Sequence, residues 1–381
     1  MSATAEQVFC NARIVLADRV VEGAVVVREG TITEIGEGPA TGEDFDGDYL
    51  LPGLVELHTD NLEHHYKPRP GVRWNPMAAV QAHDGQVASS GITTVLDALR
   101  VGLDDAASDT SPDDMLQLAR AIKLGIRDNR LRADHLIHLR CEVSAPDCLE
   151  SFEALRDAPE VRLVSLMDHS PGQRQFASID AYRTYYQGKL KMSDAALETF
   201  SARRIANSAL HAEPNRAAIS AFCRAEGIAL ASHDDATADH VARARAQGIK
   251  VAEFPTTIEA AAASRAAGMS VLMGAPNIVR GISHSGNISA RTLAEQGLLD
   301  ILSSDYVPFS LLCAAFALVE AVETIALPNA VALVSKRPAA AAGLDDRGEI
   351  ASGLRADLVR VTLSEGVPIV RAVWRRGVRV G

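Results

Sequence analysis

Eight stretches with the texture of buried strands recur between helix-like stretches over residues 51–345, and nearly every one finishes on an acid, an amide or an imidazole. The strand-like runs end at His58 (LPGLVELH), near Asp97 (TTVLDA), at Glu142 (LIHLRCE), at Asp168 and His169 (VRLVSLMDH), at His233 (IALASH), near Glu253 (IKVAEF), near Asn277 (SVLMGAPN) and at Asp305 (DILSSD). Helical patterns fall between them, at roughly 76–90, 112–131, 194–226, 237–247, 257–267 and 289–297. Strands that alternate with helices build parallel sheets. Eight such units in a segment of this length predict an α/β fold, a (β/α)8 TIM-like barrel. An open doubly wound sheet would need a glycine-rich phosphate loop after its first strand, and LPGLVELHTD has none. Function in such barrels sits at the carboxyl ends of the strands, which is where this chain puts its polar residues.

The two ends have a different texture. Short β-type runs broken by glycine and charge fill residues 7–50 and return in residues 346–381. Neither end carries enough apolar residues to fold alone. We therefore expect 1–50 and 346–381 to combine into one small β-sandwich domain, with 51–345 as the barrel.

Composition narrows the partners. The 381 residues carry a net charge of −11, which argues against nucleic acid, whose binding needs a basic footprint. The five cysteines are odd in number and scattered, with no C-x-x-C pair, as in a reducing compartment. MSATAEQVFCNARIV lacks the basic start and apolar core of a signal peptide. Leu311–Ala326 is apolar but too short to span a bilayer, and it carries Glu320 and Glu323; it reads as a buried helix. A cytoplasmic, non-membrane protein is expected. Whether copies of the chain associate is left open.

His58 and Asp60 leave the first strand two residues apart, on one face. Glu142, His233 and Asp305 end the third, fifth and eighth strands. Converging on one mouth, two imidazoles and three carboxylates would suit a divalent ion, Zn²⁺ or Mn²⁺. His169 and Asp168 are adjacent, so alternation sends only one of them inward. Glu253 reads as a ligand, an orienting partner or a surface carboxylate, and Asp97 as a group that could orient a ligand histidine. His135, His138 and His211 read as ordinary core or surface residues, and Asp234 or Asp235 as the start of a helix near Ala236.

The metal motif runs into HHYKPRPGVRW, where Lys67, Arg69 and Arg73 are stiffened by Pro68, Pro70 and Gly71. Guanidinium and ammonium groups of this kind clamp phosphates. Arg174, Lys189 with Lys191, and Arg280 with His284 follow later strands. In an acidic chain this clustering favours a polyanionic ligand over a merely solvated basic surface.

LPGLVELHTD, GITTVLDAL and the terminal GLRADLV resemble the amidohydrolase superfamily. HTDNLEHHYKPRPGVRW, MDHSPGQRQF, SHDDAT, EFPTT, MGAPNIVRGISHSGN and SSDYVP closely resemble one branch of it, which acts in phosphonate catabolism beside the C–P lyase. The resemblance implies a metal-bearing barrel with a β-sandwich from both chain ends. It also implies one or two divalent ions, and hydrolysis of the triphosphate arm of a phosphorylated sugar phosphonate with release of pyrophosphate. His58, Asp60, Glu142, His233 and Asp305 are the implied ligands, with His169 a weaker one, and Asp305 is the implied base toward the attacking water. Asp60 stands where the superfamily's first motif usually has its second histidine. The rival readings are a deacetylase or cyclic amidase on a phosphorylated small molecule, and a non-catalytic barrel that has lost its metals.

Overall fold

The structure, a computed structural model, describes residues 6–103, 110–171, 193–282 and 287–381. Its centre is a parallel barrel built from β6 (Leu54–Thr59), β7 (Ile92–Val101), β8 (Asp134–Glu142), β9 (Val161–Met167), β10 (Ala229–His233), β11 (Val251–Glu253), β12 (Ser270–Gly274) and β13 (Ile301–Ser303). These eight strands pair in chain order, as the alternating sequence requires. The seam between the last and first strands has two parts. Toward its amino end Val55 and Leu302 donate to the carbonyls of Val334 and Leu333, so a later segment fills the gap (2.9 Å each). Toward its carboxyl end the strands meet directly: Asp305 N donates to His58 O and Asp60 N to Asp305 O, at 3.1 Å each.

Inside the barrel Val55, Leu57, Leu96, Leu163, Val251 and Leu272 form a plug closed by Ala339 and Ala342. The plug is apolar, so the polar residues above it have only the carboxyl-end mouth to face. A larger core, including Leu99, Leu139, Cys141 and Ile219, joins the outer face of the strands to the helices.

The expected helices form where their caps start them. Asn75 accepts from Ala78 N ahead of Pro76, which opens the helix Pro76–Ser89. Ser111 and Asp114 form a reciprocal capping box for Pro112–Arg127. The helix Asp194–Glu226 runs until Gly227 adopts φ 68°. Ser310–Ala321 is the buried apolar helix, and among the described residues no helix is long and apolar enough to cross a membrane. One expected start is displaced. Thr237, not Asp234 or Asp235, caps the helix Ala238–Ala246, because Asp234 is engaged in the site.

The chain ends form one mixed sheet of β1 (Gln7–Val15), β2 (Val20–Arg28), β3 (Thr31–Glu37), β4 (Glu43–Asp44), β5 (Tyr49–Pro52), β14 (Leu358–Ser364), β15 (Val367–Arg375) and β16 (Val378–Arg379). The two ends join where β14 pairs antiparallel with β5, and Phe9, Phe45 and Trp374 pack their rings together. Gly53 links this sheet to β6: a Cβ there would lie 2.2 Å from Thr93 Oγ1, so only glycine passes.

Candidate active site

Three adjoining groups of side chains occupy the mouth. In the first, His58 Nδ1 donates to Glu253 Oε1 (3.1 Å), and Ser165 Oγ donates to Glu253 Oε2 (2.5 Å). His138 lies edge-on to His58, with its Nδ1 3.0 Å from Leu57 O and its Nε2 2.5 Å from Ser165 Oγ. Burial, with Arg140 and His233 nearby, holds His58 neutral by pushing its pKa well below the usual histidine value. A neutral imidazole whose Nδ1–H is held by a carboxylate presents the Nε2 lone pair, the form a divalent ion binds.

The second group joins three strand ends. His233 Nδ1 donates to Asp234 Oδ2 (2.8 Å), and His169 spans Glu142 Oε2 (Nδ1, 2.6 Å) and Asp234 Oδ2 (Nε2, 3.5 Å). Burial opposes protonation of His169, but Glu142 and Asp234 outweigh it and raise its pKa to about 9. Glu142 is held down at about 2, against burial, by His169, Arg204 and Ser144. His169 thus lies between two carboxylates, with both ring nitrogens turned toward them. Of the adjacent pair it is His169 that turns inward, while Asp168 accepts from Ser170 N and Ser208 Oγ.

Asp60 and Asp305 form the third group, beside each other because their backbones pair across the seam. Asp60 Oδ2 lies 3.4 Å from Arg140 Nη1, and its buried Oδ1 makes no hydrogen bond among the described residues. Burial and then the Asp60 charge push the Asp305 pKa up to about 7. Beneath them Glu56 accepts from the amides of His58 and Ser304, at 2.6 Å each, and so ties the seam.

The backbone carries strain at the same level. Asp234, Phe254 and Asp305 have φ of 56°, 53° and 57°. Asp tolerates this left-handed region, whereas for a bulky residue it costs about 1–3 kcal/mol. Phe254 holds it with its ring packed against both His58 (5.1 Å) and His233 (5.2 Å).

All six residues expected as ligands thus reach the mouth. Sequence reasoning missed His138, Arg140, Asp234, Ser165 and Glu56. For two of these a signal existed: His138 and Arg140 precede Glu142 by four and two residues on β8, so they share its face. The basic residues divide. Arg73 grips buried Asp114 with both arms of its fork (2.8 and 3.0 Å), and Tyr66 Oη donates to the same carboxylate (2.9 Å). Arg73 thereby braces its own loop onto the helix Pro112–Arg127. Lys67 Nζ donates to Thr110 Oγ1. Arg69 and Arg280 are exposed. Arg174, Lys189, Lys191 and His284 lie outside the described residues.

Asp97 does not turn toward the mouth. Between β7, β8 and the helix Pro76–Ser89 it accepts from His83 Nε2 (2.8 Å) and His135 Nδ1 (2.7 Å), all three residues being fully enclosed. Asn61 Nδ2 donates to His83 Nδ1 (3.1 Å), and His135 Nε2 faces Asp84 (3.3 Å). These partners make it a satisfied network under the strands, separate from the mouth.

Three sets of imidazole and carboxylate groups have ligand atoms within 4.8 Å of one another, and two of them, His58/His138/Glu253 and His169/His233/Asp234, are at the mouth. Nitrogen and oxygen donors without thiolate suit a divalent ion, and the orphaned Asp60 Oδ1 is a carboxylate oxygen that such an ion would satisfy. Fold and mouth together define a barrel hydrolase whose strand ends can hold a divalent ion. The chain belongs to the amidohydrolase family, whose model matches residues 154–380. It is 49% identical over 374 residues to the alpha-D-ribose 1-methylphosphonate 5-triphosphate diphosphatase of Escherichia coli (strain K12), covering 97% of this chain and 99% of that one. Among solved structures it resembles 5-methylcytosine deaminase from Klebsiella pneumoniae (TM-score 0.65, 14% identity, 98% and 97% coverage). It also resembles N-acetylglucosamine-6-phosphate deacetylase from Thermotoga maritima (TM-score 0.60, 15% identity, 98% and 99% coverage). At those identities the likeness concerns the fold.

Proposed function

We propose that this protein hydrolyses the triphosphate arm of alpha-D-ribose 1-methylphosphonate 5-triphosphate, releasing pyrophosphate and leaving the 5-phosphate. The observation that carries this reading is the 49% identity, along almost the whole of both chains, to the enzyme of that name. His58, Asp60, Glu142, His233 and Asp305 would hold the divalent ion, Zn²⁺ or Mn²⁺, with Glu253 and Asp234 orienting the two imidazoles. When bound, such an ion supplies a Lewis acid that makes water a nucleophile at neutral pH.

The chain's own groups do the rest. Asp305, raised toward neutrality by burial and Asp60, is matched to accept the proton of the attacking water. Arg69 and Arg280 are exposed and available to the oxygens of the departing pyrophosphate. Lys67 lies on the same proline-braced loop as Arg69. The apolar plug below the mouth closes the barrel beneath the reacting groups. The five cysteines are free thiols, consistent with a cytoplasmic setting.

The test is pyrophosphate release from the sugar phosphonate triphosphate, with and without chelator. Chelator-sensitive pyrophosphate is expected. Successive single orthophosphates would move the attack to the terminal phosphorus, and no phosphate release of either kind would overturn the reading.

A further inference from the structure

We propose that Arg100 and Arg140 form a phosphate subsite on the wall of the mouth, taking oxygens of a polyphosphate chain beside the candidate metal ligands. This deepens, and rests on, the reading of the mouth as the place where a triphosphate arm is hydrolysed.

The register of the barrel puts the two guanidinium groups side by side. Arg100 of β7 and Arg140 of β8 are direct partners in the parallel pairing. Leu96, on Arg100's own strand, lies in the plug, while Leu99, Val101, Leu139 and Cys141 lie in the core against the helices. Alternation therefore turns both arginines to the inner face, above the plug. The next partner in that row is Ser165 of β9, whose hydroxyl belongs to the mouth. Two like charges at paired positions repel each other, and an anion between them relieves this.

One short stretch of chain holds the pair. Asp60 and Glu63 are the cap and the first-turn acid of the helix Asn61–Tyr66. Arg140 Nη1 lies 3.4 Å from Asp60 Oδ2, and Arg100 Nε lies 3.0 Å from Glu63 Oε1. Each acid thus engages a single nitrogen, whereas a guanidinium carries five N–H donors. Neither Nη of Arg100 has a partner among the described residues, and the buried Nε of Arg140 makes no hydrogen bond among them. The two side chains are 37% and 14% exposed, so their donors sit in a recess and not out on the surface. Planar forks fixed to strands and short of acceptors suit the oxygens of phosphoryl groups, with little left to order on binding. Arg73, by contrast, has both arms of its fork taken by Asp114.

The test is equilibrium dialysis of radiolabelled pyrophosphate and orthophosphate against the full-length, metal-loaded protein. Trace anion keeps the probe from stripping the site, and metal per chain is measured on the same samples. The wild type should prefer pyrophosphate, which can span both arginines. Arg100→Gln and Arg140→Gln should each weaken pyrophosphate binding by about tenfold or more and reduce that preference. Arg19→Gln, on the exposed turn between β1 and β2, should leave both unchanged. Circular dichroism checks folding. If Arg140→Gln does not fold, Arg140→Lys takes its place: it keeps the charge and loses the fork, and should weaken binding by about threefold. Pyrophosphate binding within about twofold of wild type in folded Arg100→Gln, or unchanged in the folded Arg140 variant, overturns the subsite. So does a wild type without the preference, or a loss in the Arg140 variant matched by loss of metal, which makes that residue a brace for Asp60. Arginine-dependent pyrophosphate binding by a protein that releases no phosphate from the sugar phosphonate triphosphate overturns the proposed reaction and leaves the subsite standing.

Discussion

Replacing Asp97 by Asn tests whether the enclosed network under β7 is structural. The carboxylate is wholly buried and accepts from both His83 (2.8 Å) and His135 (2.7 Å). Asn61 donates to His83 Nδ1, so His83 is the Nε2–H tautomer and needs an acceptor at position 97. Asparagine can accept from one ring only and turns its amide donors toward the other. His135 is left with Asp84 at 3.3 Å as its sole counter-charge on the described residues. Removing one partner of a buried ion pair costs about 3–5 kcal/mol, an appreciable part of the ~5–15 kcal/mol that holds a typical domain. The loss should depend on pH in a set direction. Burial opposes the charge on His135, but Asp97 and Asp84 raise its pKa to about 9, above the ordinary 6.5. Its contribution is therefore complete below pH 6.5 and disappears as pH rises through 9. Urea unfolding at pH 6 should show the full deficit, and the gap between wild type and Asp97→Asn should narrow by pH 10. Manganese per folded chain should not change, because the network faces the helices. A loss under about 1 kcal/mol, or a gap that is flat with pH, would refute the assignment of charge to this network.

Three further outcomes are expected. Asp305→Asn should keep most of its metal while kcat for pyrophosphate release falls by about 10²-fold or more, read from steady-state kinetics beside metal analysis. Ser165→Ala deletes the hydroxyl that holds Glu253, and through it His58, so Mn²⁺ affinity measured by competition with a chelating dye should weaken by about tenfold. Asp114→Asn releases Arg73 and Tyr66 and weakens the capping box, which should cost roughly 2 kcal/mol in urea unfolding. In the same variant the loosened Lys67–Arg73 loop should raise KM more than it lowers kcat.

The strands and their polar ends were readable because burial writes itself into hydrophobic runs, and a strand that stops being buried stops being apolar. His58, Asp60, Glu142, His233 and Asp305 were found this way, as were the main helices, whose caps lie within a few residues of what they cap. The pairing of the chain ends followed from their shared texture and lack of core. Other features depended on partners far away in the chain. Strand alternation places His138 and Arg140 on Glu142's face, yet only the closed barrel brings that face against Glu253, 115 and 113 residues further along. Asp97 ends a strand as the ligands do, but its register points it to the helix side, where His83 and His135 wait. Arg73 was legible as a cation and not as a paired one, because Asp114 lies 41 residues on. Sequence by itself thus determined that the strand ends carry the polar groups of a mouth, and five of the residues that stand there. Tertiary structure decided which charges neutralise one another there, since Coulomb and hydrogen-bond partners are chosen by distance in space and leave no periodic mark along the chain.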